Sequence, residues 1–434
     1  MKRETLIFPA ENISADKLLN WAGQFDVFTL LNSNSSADNP PDNYSNFDLL
    51  LAVDPIQLFS GDENPFELIK SLSQKKDWHI FHLSYDLKNR IEKLDSNNLD
   101  YVHFPEFLFY CPAIVFEIKD KKVAVHYFKE RNSEAEIREL IKSIECSPIE
   151  NFPVKPDVEI KARISRDEYI TTINQIKDHI QQGDIYEMNY CQEFYSENAA
   201  IDPYQIYREL NEISPMPFSV FSKCNDHYLM CTSPERYLAN RNNKIISQPI
   251  KGTARRGKNE EEDHKIKDAL YHDEKERSEN VMIVDLVRND LSRTAAKGSV
   301  QVEELFGIKT FKQLHQMVST VTSEIEQGKN VADILQTTFP MGSMTGAPKI
   351  RAMQIIEETE KAKRGLYSGS VGYISPDGDF DFNVIIRSIL YNEKEKYLSF
   401  TVGSAITIGS KAENEYEECL LKASAMKKVL GNQE

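Results

Sequence analysis

Between Tyr367 and Ile406 the chain writes three strands joined by short turns, with no helix between them. Tyr367 to Ser375 is the first, and Pro376-Asp377-Gly378 is its turn. Phe380 to Tyr391 and Tyr397 to Ile406 follow, linked through Asn392 to Lys396. Strands joined this tightly pair antiparallel, because a parallel pair needs a crossover of about a dozen residues or more. Helices sit in separate blocks. Ser165-Arg166-Asp167-Glu168 is a capping box, with Tyr169, Ile173, Ile176 and Ile180 on one face and Gly183 as the stop. The run from Asn259 to Ala296, acidic and then apolar, predicts one long helix. Pro348 opens another to about Glu360, and a last one runs from about Ala412 to Leu430. Meanders and helical blocks together predict an α+β chain, sheets covered by helices, rather than repeated βαβ units.

The first 150 residues are rich in short β runs: Phe47 to Val53, His79 to Ser84, Phe107 to Ile118 and Lys122 to Phe128. Three prolines between Cys146 and Asp157 predict a boundary or crossover, dividing residues 1–150 from 151–434. Asn32 to Asn46, rich in Asn, Ser, Asp and Pro, predicts a surface loop. Composition narrows the partners. Lys+Arg number 52 against 68 Asp+Glu, a net −16, which argues against general nucleic-acid binding and against docking on anionic membrane. A small anionic substrate stays open, since local basic groups can oppose the net sign. No stretch approaches the roughly 18–20 apolar residues of a membrane span. The first residues lead only into Leu6-Ile7-Phe8, short of a secretory core segment. Six cysteines without a CxxC pair predict reduced thiols in a cytoplasmic protein.

Four groups of residues can carry chemistry. Glu276 and Glu279 stand three apart, as do Glu415 and Glu418, with Lys422 four further on. Two such helices, face to face, can hold a hard divalent ion; a solvated acidic face is the other reading. Lys251 lies in Gln248-Pro249-Ile250-Lys251-Gly252-Thr253, ahead of Arg255 and Arg256. Nearby positive charge or burial would favour its neutral, nucleophilic form; a surface or anion-binding lysine is the alternative. On the strand Phe380 to Tyr391, Asp381, Asn383 and Arg387 share one face, where Arg387 can clamp a carboxylate or pair with Asp381. Finally, Gly342 to Lys349 is a glycine loop opening a helix, either an anion site or a plain cap.

In this order, these strings resemble the chorismate-utilising enzymes. That family includes anthranilate synthase component I, aminodeoxychorismate synthase component I, and the isochorismate and salicylate synthases. The resemblance covers roughly Lys161 to Leu430. It rests on Ser233-Pro234-Glu235-Arg236, the Lys251 loop, Ser278 to Asp290, Gly342 to Met353, Tyr367 to Ser375 and the Glu415/Glu418 helix. It implies one large two-lobed αββα unit of face-to-face sheets, with the site in the cleft between the lobes. Magnesium would bridge Glu279, Glu418 and the ring carboxylate of chorismate, with Glu276 and Glu415 close by. Tyr367, Arg387 and the Gly403 backbone would hold the other carboxylate. Thr253, beside Gly252, and Lys422 would add contacts, and His315 matches a family active-site histidine. Glu235 would protonate the departing C4 hydroxyl.

The residue before the Gly-Thr pair separates activities in this family. Alanine there resembles the anthranilate synthases; lysine, as in Lys251, resembles the aminodeoxychorismate synthases of the folate branch. Lys251 would attack C2, and ammonia would then enter at C4. No glutaminase motif is legible, so ammonia is expected from a separate glutamine amidotransferase subunit or from free ammonium. Two positions depart from the family pattern: Glu187 stands where amination members carry Gln, and Ser404 follows Gly403 in place of Gly or Ala. Leu30 to Ser33 and Ser214 to Phe218 resemble strings that build a tryptophan pocket in some members; packing is the plainer reading. The rival functions are anthranilate synthase component I and a non-catalytic chorismate-binding paralogue.

Overall fold

A computed structural model describes residues 2–36, 43–61, 63–148, 156 and 158–431. Its strands form one hydrogen-bonded network that divides into two sheets, and every pairing of the named strands is antiparallel. Two long strands, Leu49–Phe59 and Phe107–Lys119, serve both sheets. Phe107–Lys119 gives its far half to Lys122–Phe128 and its near half to His79–Leu83. The register between the long strands slips between Pro55 and Gln57, opposite Pro112. A proline cannot donate to the ladder, so it belongs where a strand bends out of one sheet into the next.

Alternation along each strand separates the two cores. In Val27–Asn32, Phe28 and Leu30 face a layer built by the helices Ala15–Ala22, Glu134–Cys146, Arg166–Gln182, Pro203–Ile213 and Ala412–Val429. Val27 and Leu31 point the other way, into a core shared with Ile80, Val371 and Leu238 of the second sheet. That core also takes in Phe66, Ile69, Ile283 and Leu335 from the helices on its far side. Each large apolar side chain so buried contributes roughly 1.5–3 kcal/mol over its exposed state. The result is the expected α+β arrangement: helices, sheet, sheet, helices.

The capping box, the Gly183 stop and the closing helix stand where the sequence predicts them, as Arg166–Gln182 and Ala412–Val429. Two elements differ. The helix expected from Asn259 to Ala296 is two helices, Glu260–His272 and Glu274–Ser292. Asp273 leaves the helical region (ψ 114°) and accepts a hydrogen bond from the Glu276 N–H, 2.9 Å. It is the N-cap of the second helix. The strand expected from Phe380 to Tyr391 is likewise two, Phe380–Asn383 in the second sheet and Ser388–Asn392 in the first. Residues 384–387 carry the chain between sheets, and Arg387 takes a left-handed conformation there (φ 52°). Most of the expected boundary lies outside the described residues, as do 37–42 of the expected loop. Strands from both sides of that boundary interleave in each sheet: Val27–Asn32 pairs with Phe218–Cys224, and His79–Leu83 with Ser370–Ile374.

Candidate active site

Two neighbouring stretches change sheet side by side. One is 384–387; the other is Pro234-Glu235, between His227–Ser233 in the first sheet and Arg236–Arg241 in the second. The Val384 N–H donates to the Glu235 carbonyl (3.0 Å), and the Thr232 N–H donates to the Arg387 carbonyl (3.1 Å). Where strands part in this way the sheets cannot close on each other, and a cleft of about 450 Å³ opens. Glu235 and Arg387 line it from the two crossovers, Tyr367 from ahead of the strand Ser370–Ile374, and Gly403 from Tyr397–Ile406. All thirteen expected site residues line this cleft except His315.

Lys251 and Gly252 sit in an irregularity of the ladder. Ile250–Arg255 pairs with Leu314–Glu324, but its register shifts between Ile250 and Thr253. The extra residue pushes the strand outward, a common device beside active sites. Gly252 has φ 99°, and a Cβ there would lie 3.3 Å from the Glu276 carboxylate and 3.2 Å from Met317. On the partner strand Leu314 and Gln316 face the cleft. Period-two alternation therefore turns His315 to the other face. It is fully buried, with Nε2 3.0 Å from Asp263 Oδ1 and Nδ1 3.0 Å from Thr310 Oγ1.

The arginines expected to sit beside Lys251 are spent elsewhere. Arg255 pairs with Glu262 (2.6 Å) and Arg256 with Asp263 (2.9 Å). Lys251 Nζ instead donates to Glu187 Oε1 at 2.7 Å, the carboxylate buried and the lysine partly so. Burial acts to lower the lysine pKa, but the charges of Glu187, Glu279 and Glu235 outweigh it and raise it. The expectation of positive neighbours favouring the neutral amine is thus reversed. Burial pushes the Glu235 carboxyl up to about 7, against Ser343 and Lys251, which act to lower it. A carboxyl that holds its proton near neutrality is suited to general-acid work.

Two acidic faces meet across the cleft. Glu276 and Glu279 come from Glu274–Ser292, Glu415 and Glu418 from Ala412–Val429. Lys275, which the sequence reading did not single out, puts its ammonium 3.7 Å from Glu279 and 3.9 Å from Glu415. Burial pushes Glu279 up to about 7, with Glu187 and Glu276 adding to it and Lys251 and Lys275 opposing. Burial also acts upward on Glu418, but Lys422, at 2.7 Å, outweighs it and lowers that pKa. The same Lys422 ammonium donates to the Gly403 carbonyl, 2.8 Å. Among the described residues no three metal-ligating side chains converge as a ready-made cage. The donor set still fits magnesium, which takes one or two carboxylates and completes its shell with water and substrate. Glu279 Oε1 is buried and accepts no hydrogen bond; the Lys275 ammonium faces it at 3.7 Å, too far to satisfy it, so the oxygen could still ligate a divalent ion.

The opposite wall is built for an anion. Asp381, the partner considered for Arg387, is held by Arg236 (2.9 Å) and Arg241. No carboxylate among the described residues stands within ion-pair distance of Arg387. Gly403 faces Cys191 on the adjacent strand, where a Cβ would come within 2.5 Å of the sulfur. Ser404 also lines the cleft, and its hydroxyl lies 3.4 Å from the Tyr169 hydroxyl of the helix Arg166–Gln182. Behind this wall the buried pair Arg364–Glu360 (2.6 Å) ties down the Met344 and Asn189 carbonyls and the Cys191 N–H. The glycine loop is pinned by main-chain bonds from Asn189 to Thr345 and from Tyr186 to Ala347. Separately, Leu31 to Ser33 meet Pro217 and Phe218 around a smaller cavity of about 50 Å³.

Comparison with known proteins agrees with this arrangement. The chorismate binding enzyme family matches residues 32–428. Aminodeoxychorismate synthase component 1 of Bacillus subtilis (strain 168) is 34% identical over 361 residues, covering 81% of this chain and 76% of that protein. Anthranilate synthase component 1 of Aquifex aeolicus (strain VF5) is 33% identical over 367 residues, covering 81% and 74%. The crystal structure of anthranilate synthase component I from Streptococcus pneumoniae TIGR4 superposes with a TM-score of 0.77 at 27% identity, covering 88% of this chain and 91% of that one. With the fold, the match over nearly its full length and these relatives in agreement, the chain belongs to the chorismate binding enzyme family.

Proposed function

We propose that this chain converts chorismate and ammonia into 4-amino-4-deoxychorismate, on the route to p-aminobenzoate and folate. The observation that supports this over the anthranilate reaction is Lys251, raised by the bulge into the cleft that also holds Glu235. Relatives named aminodeoxychorismate synthase component 1, in Bacillus subtilis and in Escherichia coli (30% identical over 424 residues), support it as well.

In this reading Arg387, Tyr367 and the Gly403 backbone orient one carboxylate of chorismate. Glu279 and Glu418, with Glu276 and Glu415 beside them, hold magnesium, which when bound offsets the charge of the ring carboxylate. Thr253 and Lys422 add contacts from the two sides of the cleft. Lys251 forms a bond to C2 as the C4–O bond breaks. Hydroxide is a poor leaving group, so Glu235 supplies the proton with which it departs as water. Ammonia then bonds to C4 and the lysine nitrogen leaves from C2. Ammonia reaches the site from a separate glutamine amidotransferase or from free ammonium. The test is incubation with chorismate, Mg²⁺ and ammonium, followed by mass spectrometry of the products. 4-Amino-4-deoxychorismate with no pyruvate is the expected result; anthranilate with pyruvate overturns the reading.

A further inference from the structure

A lysine that must attack carbon needs a lone pair, and the charges around Lys251 favour its ammonium form. The proton therefore has to leave before the bond forms, and its acceptor must lie within hydrogen-bond reach. Three carboxylates press on this ammonium. Glu235 is assigned to give a proton, not to take one. Glu279, from the helix Glu274–Ser292, makes no hydrogen bond to Lys251 and belongs to the acidic group across the cleft. Glu187 alone touches it, at 2.7 Å, from the first residue of the strand Glu187–Ser196. Its other oxygen is buried and has no hydrogen-bond partner among the described residues, so the carboxylate is only half satisfied. Glu187 is buried and Lys251 only slightly exposed, so the carboxylate and the ammonium are held against each other at the closed end of the contact.

We infer that Glu187 is the proton acceptor that turns Lys251 into a nucleophile. The assignment rests on the reading of Lys251 given above. One N–H bond of the ammonium breaks and an O–H bond forms on Glu187. The freed electron pair bonds to C2, ring electrons shift, and the pair of the C4–O bond leaves with the hydroxyl, which takes the Glu235 proton. When ammonia has bonded to C4 and Lys251 has left, the new C4 ammonium returns a proton to Glu235, and Glu187 returns its own to Lys251. Glutamine, which the family resemblance leads one to expect at this position, can accept the hydrogen bond but cannot take the proton.

The experiment uses the full chain with Mg²⁺ and chorismate, without ammonium. The reaction is quenched at intervals, and the mass of the peptide containing Lys251 is followed. In Glu187→Gln and Glu187→Ala the adduct is expected to form at least tenfold more slowly than in the parent. Chorismate affinity by equilibrium dialysis should stay within threefold. Formate, a carboxylate small enough for the vacated space, should speed the Ala variant but not the Gln variant, a rescue that a purely structural role would not give. An adduct forming at the parent rate in Glu187→Gln overturns the assignment of Glu187 and leaves Lys251 as the nucleophile. No adduct in the parent chain, even with chemical trapping, overturns the reading of Lys251 and this inference with it.

Discussion

Under the proposed function, a single proton at Glu235 bears on both rate and stability. Burial raises its carboxyl to about 7 from an ordinary value near 4.5. As a general acid it must be protonated, so amination should decline as pH rises through about 7, and Glu235→Gln should abolish turnover while preserving chorismate binding. The linkage has a definite sign. The folded state holds the proton more tightly than the unfolded chain, so the stabilisation is complete below about 4.5 and is lost as pH rises through about 7. A shift of this size corresponds to something on the order of 3 kcal/mol. Urea unfolding should therefore show Glu235→Gln gaining on the parent between pH 4 and pH 8. Parallel stability curves over that range would count against the buried, proton-holding carboxyl. His315 carries a different lesson. It matches a motif, yet Leu314 and Gln316 take the cleft face of its strand, and the period-two pattern alone assigns it to the other face.

Among the elements, the helices Arg166–Gln182 and Ala412–Val429 and the last meander are legible in the sequence. The helices Ala15–Ala22, Glu134–Cys146 and Pro203–Ile213 and the strands Val27–Asn32, Glu187–Ser196 and Phe218–Cys224 go unread, and two joins inside the legible runs are missed. The helix break at Asp273 carries a signal that is passed over, since Asp is a favoured N-cap and Glu276 follows three residues on inside a long charged run. Asp273→Ala should cost about 1 kcal/mol and loosen the turn that carries Glu276; unchanged urea stability would show that the cap is idle. The crossover at 384–387 is hidden. Phe380, Phe382 and Val384 alternate as in one strand, and only the sheet partners of each half reveal the change. Arg387 could thus be named as an anion clamp from sequence, but not relieved of Asp381, whose arginine partners lie about 140 residues away in the chain. The Glu187–Lys251 pair is illegible for the same reason: 64 residues separate its members, and only folding joins them. Gly403 is legible in retrospect through its tight strand contact. Gly403→Ala should destabilise the chain by roughly 1–3 kcal/mol, since Cys191 and the Tyr190 carbonyl block a Cβ.

For the molecule as a whole, the four carboxylates of the cleft hold like charges together across two helices, with Lys275 among them. A divalent ion that binds only the folded chain stabilises it by about 2.7 kcal/mol at a hundredfold excess over Kd. Mg²⁺ should accordingly raise the thermal midpoint, and Glu418→Ala should reduce that rise. Full turnover in excess chelator would remove magnesium from the account. Glutamine should support no amination by the chain alone, while ammonium should. The central claim is that Lys251 becomes covalently bound to chorismate. It is tested most directly by mass analysis of the Lys251 peptide after exposure to chorismate and Mg²⁺ without ammonia. The account predicts a chorismate-derived mass increment there, absent in Lys251→Ala, with any residual amination in that variant shifted towards C2. An unlabelled Lys251 together with an undiminished rate in Lys251→Ala would contradict it and leave the lysine as a contact for an anion.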